Sequence, residues 1–180
     1  MNTKKIIYTI LFCLTAAPLF SQQNNASEND QKCSQAICIL QPTQGNTSSG
    51  TVTFVQTNDG VKVTADIKNL SVGKHGFHIH ECGDCSAPDG TSAKGHFNPE
   101  SKSHGAPMDM TRHEGDLGNI IADSNGNAHL EYIDKSIMLN GNHSILGRSI
   151  IVHKSEDDFK TQPTGNAGAR VACGVIGFKQ

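Results

Sequence analysis

The stretch that decides the fold is Thr51-Val-Thr-Phe-Val-Gln-Thr-Asn-Asp-Gly-Val-Lys-Val-Thr-Ala-Asp-Ile-Lys68, in a chain of 180 residues. After the turn signal Asn58-Asp59-Gly60, apolar residues at 61, 63, 65 and 67 alternate with polar residues. A period of two places alternate side chains on opposite faces of a strand. This stretch therefore predicts a β-hairpin with one buried face.

Further short strands are predicted on both sides of this hairpin. They are Ala36–Leu40, Gly118–Ala122, Ala128–Ile133, Ser149–His153 and Val171–Ile176, with a second turn signal at Asp123-Ser-Asn-Gly-Asn127. No window has the pattern of a convincing amphipathic helix. Several short strands separated by turns are typical of an all-β sandwich or barrel.

Two long polar stretches interrupt the strands. Glu81–Arg112 is rich in Gly, Pro and His, and Lys154–Ala169 is shorter but similar. Loops of this length in a compact domain are usually functional or disordered. Their histidine content favours two long functional loops.

The first residues have the composition of a targeting segment. Lys4 and Lys5 precede an apolar stretch from Ile6 to Phe20, and polar residues follow from Ser21. This order predicts a secretory signal peptide over residues 1–21, with an uncleaved membrane anchor as the alternative. Residues 22–35 are rich in Gln, Asn and Ser and predict a flexible leader, so the domain is expected over residues 36–180.

The charge of the exported chain would be mildly negative. Removal of residues 1–21 takes away two lysines and no acid, which leaves 13 of the 15 basic residues against 17 acidic ones. The formal charge then moves from −2 to −4. A mildly acidic body without a basic run argues against nucleic acid or an anionic membrane as partner, so no stable membrane association is expected.

Three of the nine histidines, His78, His80 and His153, lie in or at the end of apolar segments and are candidate metal ligands. In Gly76-Phe77-His78-Ile79-His80 the two imidazoles face the same side of the strand, so both can reach one ion. His153 ends the apolar run Ile150–Val152, where a polar ring is costly without a partner.

Four further candidates lie on the first predicted loop and just after it, namely His96, His104, His113 and Asp116. Three imidazoles and one carboxylate form a closed tetrahedral set suited to Zn²⁺. The alternative is a mixture of hydrogen-bonded core histidines and surface histidines. The remaining three histidines are expected to lie outside any metal site. His75 is expected to form structural hydrogen bonds, and His129 and His143 are expected to be solvated side chains near turns.

Four segments resemble signature segments of the copper–zinc superoxide dismutases. They are Gly76-Phe-His-Ile-His-Glu81, Gly95-His-Phe-Asn-Pro99, His113-Glu-Gly-Asp-Leu-Gly118 and Gly165-Asn-Ala-Gly-Ala-Arg-Val-Ala-Cys-Gly174. The similarity runs from about Ala36 to Gln180 and is closer to the eukaryotic-type dimeric branch. The resemblance implies a Greek-key β-sandwich or flattened barrel of about eight antiparallel strands.

The resemblance also implies two metal ions per subunit, one copper and one zinc. The implied copper ligands are His78, His80, His96 and His153, and the implied zinc ligands are His96, His104, His113 and Asp116. His96 is then an imidazolate shared by both ions, which two adjacent dications make plausible. Asp157 corresponds to the carboxylate that links a copper ligand, His78, to a zinc ligand, His104.

The implied enzyme converts superoxide to oxygen and hydrogen peroxide by redox cycling of copper, with zinc in a structural role. His96 would take part in catalysis by accepting a proton. Arg170 corresponds to the guanidinium that guides the anion into the channel, and Thr164 to part of the opposite wall. The role is antioxidant defence outside the cytoplasm, in the periplasm or the extracellular space.

The resemblance further implies a disulfide between Cys85 and Cys173 and a homodimer. The segments expected to meet across the two-fold axis are Gly83-Asp84, Leu146-Gly147-Arg148 and Val175-Ile176-Gly177-Phe178. Beyond that pair, Cys38 is expected as a buried core thiol. Cys82 has no counterpart in the usual set, and it could pair with Cys33, pair with another chain or remain a thiol.

One other departure concerns the segment from Asp158 to Thr164, which is short and carries only Lys160 beyond Asp158. Guidance of the anion by this loop is therefore in doubt, and Arg170 would carry more of the attraction. Two other functions compete with the enzyme: a copper buffer or delivery protein on the same sandwich, and a zinc hydrolase with an open position for water.

Overall fold

The computed structural model describes residues 32–180, which form one unit. The predicted signal peptide and most of the predicted leader lie outside the described residues. The strands are β1 (Gln35–Pro42), β2 (Ser49–Thr57), β3 (Gly60–Lys68), β4 (Gly73–His80), β5 (Asp116–Ala122), β6 (Ala128–Asp134), β7 (Ser149–His153) and β8 (Arg170–Phe178). In this part of the chain the only helical element is one 3₁₀ turn, and no helix could cross a membrane.

The eight strands form a closed antiparallel barrel in the order β1-β2-β3-β6-β5-β4-β7-β8. The connections from β3 to β4 and from β6 to β7 skip neighbouring strands, which is the Greek-key pattern. Closure by the β1–β8 pair leaves no free sheet edge. The predicted all-β fold is confirmed.

The hairpin predicted from alternation is β2–β3, and its turn joins Thr57 to Gly60. Its apolar residues form one side of the core: Val52, Phe54, Val61, Val63, Ala65 and Ile67 are all at most 1% exposed. The polar residues that alternate with them along β2 and β3 face outward, as a period of two requires. The predicted hairpin is therefore confirmed in both position and orientation.

Residues just before the predicted start of the domain at residue 36 already pack against the barrel. Cys33 is 7% exposed and belongs to the core. Its backbone N–H donates to Asn140 Oδ1 at 2.8 Å, and its carbonyl accepts from Asn140 Nδ2 at 2.8 Å. The side-chain amide of Asn140 therefore pairs with the backbone of Cys33 much as a neighbouring strand would. The two residues are 107 positions apart, so the sequence pattern could not indicate this contact.

Both predicted loops are present, between β4 and β5 and between β7 and β8. A disulfide joins Cys85 on the first loop to Cys173 on β8, with a Cα–Cα distance of 5.8 Å. The pairing implied by the family resemblance is therefore confirmed. The bond fastens the first half of the long loop to the barrel.

Arg112 fastens the other end of the same loop, a role that the sequence did not indicate. Its guanidinium is buried, and its Nη2 donates to both carboxylate oxygens of Asp134, at 2.9 and 2.7 Å. Its Nη1 also donates to three backbone carbonyls, those of His113, Glu114 and Asp116. One side chain therefore holds the loop exit against the end of β6.

Replacing Asp134 with Asn is expected to lower the free energy of unfolding by about 3–5 kcal/mol, because Arg112 would keep a buried charge without its partner. The measurement is urea unfolding of the oxidised protein. Glu131→Gln on the same strand is the control, since Glu131 is 51% exposed and pairs with Lys62 at 3.6 Å. That exposed pair contributes about 0–1 kcal/mol, so equal losses in both variants would contradict the assignment.

Candidate metal centre

Strand β4 supplies the first two histidines of a buried cluster. Phe77 and Ile79 are fully buried in the core, and His78 and His80 face the loop side, with ring centroids 6.4 Å apart. The strand is bulged just before them, between Gly76 and His78. A Cβ at Gly76 would lie 2.7 Å from the Ala167 Cβ, so glycine lets the second loop approach the strand closely.

Two further rings complete the first group of ligand atoms. His153 ends β7, and His96 arrives from the long loop through a β-bridge to His80. One side-chain nitrogen from each of His78, His80, His96 and His153 lies within 4.8 Å of the others. The Nε2 atoms of His80 and His153 are 3.3 Å apart.

Each ring of this group has its second nitrogen fixed by a neighbour. His80 Nδ1 donates to the Lys94 carbonyl at 2.7 Å, and His153 Nδ1 donates to the Gly168 carbonyl at 3.1 Å. His78 Nε2 donates to Asp157 at 2.8 Å. Such outer contacts fix the ring orientation and tautomer, which leaves the other nitrogen with a lone pair for an ion.

A second group surrounds the fully buried carboxylate of Asp116. Its Oδ1 lies 2.7, 3.0 and 3.2 Å from the Nδ1 atoms of His96, His104 and His113. Its Oδ2 accepts the backbone N–H groups of Gly105 and His113 at 3.1 and 2.9 Å. These four side chains also bring their ligand atoms within 4.8 Å of one another.

His96 belongs to both groups. Its Nδ1 faces Asp116 at 2.7 Å, while its Nε2 is buried and has no hydrogen-bond partner. The His96 ring lies 4.0 Å from the His78 ring and 5.5 Å from the His113 ring, measured between centroids. A single imidazole therefore separates the two groups, with one nitrogen directed at each.

Asp157 connects the groups from outside. Its Oδ2 accepts from His78 Nε2 at 2.8 Å, and its Oδ1 accepts from His104 Nε2 at 2.9 Å. Asn119 on β5 fixes the backbone of Asp157 in both directions, at 2.8 and 2.9 Å. The carboxylate is therefore held by the barrel itself, although it lies on the second loop.

The charges of the two groups differ. Burial lowers the pKa of His153 to about 3 and that of His96 to about 4, so both rings are neutral at ordinary pH. Burial also opposes a charge on His104, but hydrogen bonds to Asp116 and Asp157 outweigh it and raise the pKa of His104 to about 9. A cation that takes His104 Nδ1 must therefore displace a proton.

The donor atoms fit metal ions rather than a network of internal hydrogen bonds. Within the described part of the chain, three ring nitrogens are buried without a hydrogen-bond partner: His78 Nδ1, His96 Nε2 and His104 Nδ1, the last of which lies 3.0 Å from Asp116 Oδ1. Buried polar atoms normally have partners. Three imidazoles and a carboxylate suit zinc, and an all-imidazole set suits copper.

Arg170 lies beside the first group. It is paired with His153 in the β7–β8 register, and its guanidinium donates to the carbonyls of Gly90 and Lys94, both at 2.5 Å. The Lys94 carbonyl also accepts from His80, so it links the two side chains. Thr164, expected on the opposite wall, is half-buried, and its side chain makes no hydrogen bond within residues 32–180.

The remaining histidines and cysteines mostly follow expectation. His75 is a structural hydrogen bonder, 2.8 Å from the carbonyls of both His153 and Ser71. His129 is 63% exposed beside Asp66. Cys38 is a core thiol whose pKa is raised by burial to about 12. Cys33 and Cys82 form no disulfide within residues 32–180, so the possible bond between them is not formed.

His143 is less solvated than expected. Its side chain is 33% exposed, and its Nδ1 lies 2.8 Å from Glu114 Oε1. The connection between β6 and β7 folds back onto the end of the long loop, and this tertiary contact partly shields His143 from water. Its position near a turn could not indicate that partner.

Comparisons with known proteins agree with this geometry. Residues 48–176 match the family described as Copper/zinc superoxide dismutase (SODC). The chain is 44% identical to the extracellular superoxide dismutase [Cu-Zn] of Brugia pahangi, over 81% of this chain and 76% of that protein. It is 42% identical to the superoxide dismutase [Cu-Zn] of Paramecium bursaria Chlorella virus 1, over 99% and 95%.

A solved structure shares the fold and much of the sequence of this chain. The crystal structure of the clock protein EA4 superimposes with a TM-score of 0.76 at 44% sequence identity, over 82% of this chain and 96% of that one. The family match spans well over half of the chain, and it contains both groups of buried ligand atoms. The chain therefore belongs to the copper/zinc superoxide dismutase family.

Proposed function

We propose that this protein is an exported, homodimeric superoxide dismutase that uses one copper and one zinc ion per subunit. The observation that carries the proposal is the His96 ring, which offers one nitrogen to each of two buried ligand groups. A buffer that stores a single ion needs no shared ring. A zinc hydrolase needs an open position for water, whereas the Asp116 group has four donors.

The copper ion would be held by His78, His80, His96 and His153, and the zinc ion by His96, His104, His113 and Asp116. When bound, copper supplies the one-electron chemistry that oxidises one superoxide to oxygen and reduces the next to hydrogen peroxide. The peroxide needs protons. His96 Nε2 is suited to carry one, because it is buried and has no partner among the described residues.

The remaining residues of the centre orient the donors. Asp157 accepts from the Nε2 atoms of His78 and His104, which orients both rings so that their Nδ1 atoms face the proposed ions. Zinc has no redox chemistry and would hold His96 and the long loop in place. The carbonyl of Lys94 fixes His80 and Arg170 together, so the anion-attracting group and a copper ligand keep a constant separation.

Arg170 would attract the substrate anion. Its guanidinium is only partly buried and remains cationic at working pH. The segment from Asp158 to Thr164 contributes one cation, Lys160, and Asp158 caps the N–H groups of Lys160 and Thr161. Little positive charge therefore comes from this loop, which makes Arg170 the main attracting group.

The test of the function compares the wild-type protein with His153→Ala and His129→Ala, each loaded with copper and zinc. Superoxide disappearance, followed by stopped flow, is expected to be fast for the wild type and His129→Ala. For His153→Ala, superoxide is expected to disappear no faster than in buffer without protein, because the copper ion loses one of its four nitrogen donors. If the wild type binds both metals but superoxide decays no faster than in buffer alone, a metal-binding module is favoured instead.

Arg170→Ile is expected to lower the second-order rate constant by about tenfold or more at low ionic strength, with the metal content unchanged. The loss should shrink as salt is added, because screening weakens the attraction in the wild type. Arg170→Lys retains the charge and should recover part of the rate. Lys62→Gln is the control on the outer face of β3, and an Arg170→Ile rate equal to that of this control would refute the assignment.

The proposed dimer uses the outer face of β8 and the segments that meet it. Val175 is 43% exposed and Phe178 70% exposed, and Ile39 on the adjoining β1 is 51% exposed. Gly83 and Gly147 pack closely, since a Cβ at Gly83 would clash with the Gly147 carbonyl. Apolar side chains gathered on one face support a protein interface.

Val175→Asp is expected to convert the dimer to a monomer, because the introduced charge would be buried against a second copy. Sedimentation velocity at micromolar concentration measures the change. Ile121→Asp is the matched control, since Ile121 is 62% exposed on β5, away from this face. A wild-type protein that sediments as a monomer would overturn the dimer.

Export is supported by two observations. The sequence of residues 1–21 has the order of a signal peptide. The Cys85–Cys173 disulfide suits an oxidising compartment. The destination would be the periplasm or the extracellular space, where the enzyme would serve antioxidant defence.

A further inference from the structure

A third group of ligand side chains lies beside the zinc-type group. Glu100 comes from the long loop, Glu114 directly follows His113, and His143 lies between β6 and β7. One ligand atom from each residue lies within 4.8 Å of the other two. All three line one surface cavity of about 260 Å³.

Glu114 is the feature that requires explanation. Its side chain is only 10% exposed, and its Oε1 contacts His143 Nδ1 at 2.8 Å. The second oxygen of the same carboxylate, Oε2, is buried and has no hydrogen-bond partner among residues 32–180. The nearby Arg112 does not satisfy it, because that guanidinium donates to backbone carbonyls and to Asp134. A buried carboxylate oxygen without a donor is costly, and a cation would offset that cost.

The cavity is open to solvent on the side of Glu100. The Glu100 side chain is 44% exposed, and its Oε2 contacts Lys102 Nζ at 2.5 Å. Lys135 also lines the cavity. Lys102 is therefore a competitor for one Glu100 oxygen. Within the described residues Glu114 forms no salt bridge to a lysine or arginine, although Arg112, Lys102 and Lys135 also line the cavity.

We propose that Glu100, Glu114 and His143 form a third metal site, which takes a zinc-class divalent cation. One imidazole nitrogen and two carboxylates match the ligands of Zn²⁺, with water completing the shell. Mg²⁺ and Ca²⁺ prefer oxygen donors only, so they are expected to bind weakly. The bound ion would join the middle and the end of the long β4–β5 loop to the β6–β7 connection.

The experiment uses the protein already loaded with copper and zinc. It is dialysed against graded Zn²⁺, and bound metal is counted by mass spectrometry. The wild type is expected to take up one further zinc ion per subunit. Glu114→Gln and His143→Gln should each weaken that uptake by about tenfold or more, since loss of even an outer partner costs metal sites 10–100-fold. Lys102→Gln should strengthen it by removing the competing ammonium.

Matched controls separate this site from ordinary surface binding. Glu131→Gln and His129→Gln remove the same residue types from exposed positions on β6 and should retain the third ion. Retention of both tightly bound metals and of dismutase activity in all variants reports that they are folded. His143→Gln tests the site independently of any disturbance to His113, because it lies on another segment.

A second measurement uses stability. Excess Zn²⁺ should raise the unfolding temperature of the loaded wild type and leave that of His143→Gln unchanged, because only a bound ion stabilises the native state. Excess Mg²⁺ should raise neither. The proposal is overturned if the loaded wild type takes up no third ion, or if Glu114→Gln and His143→Gln take it up as well as the wild type.

Discussion

Six imidazole rings and two carboxylates are packed out of water on one side of this barrel, and each needs a partner for every buried polar atom. The chain satisfies one nitrogen of most rings and leaves the other. Asp157 accepts from His78 and His104, while the carbonyls of Lys94 and Gly168 accept from His80 and His153. The second ring nitrogens are the atoms proposed to bind metal. The hydrogen-bond network therefore determines which nitrogen of each ring is directed at an ion.

That network depends on holding two loops against a rigid barrel. Neither loop has a core of its own, and each is fastened by a few strong contacts. The first loop is tied by the Cys85–Cys173 bond and by the buried pair of Arg112 with Asp134. The second is tied through Asn119, which fixes the backbone of Asp157 to β5. Stability and metal binding are therefore coupled, because the same contacts shape both.

Single groups also serve two purposes in the charged surroundings of the centre. Arg170 is oriented by the carbonyl of Lys94, which also orients His80, so one peptide group serves both attraction and ligation. On the far side of the zinc-type group, Glu114 brings a second carboxylate close to His113. The two carboxylates differ in their hydrogen bonding. Asp116 is surrounded by donors, whereas Glu114 has one buried oxygen without a donor among the described residues.

The sequence by itself determined the strands, the two loops and the residue types of the centre. Alternation along β2 and β3 is a local property, and so is the placement of His78 and His80 on one face of β4. Resemblance to a family added the sharing of His96 and the partner of Cys85. Only the tertiary structure decided the roles of Arg112, Asn119, Asn140, Glu114 and His143. Each acts on a segment far away in the chain or through a backbone carbonyl, and periodicity carries no information about which distant group a buried polar side chain will meet.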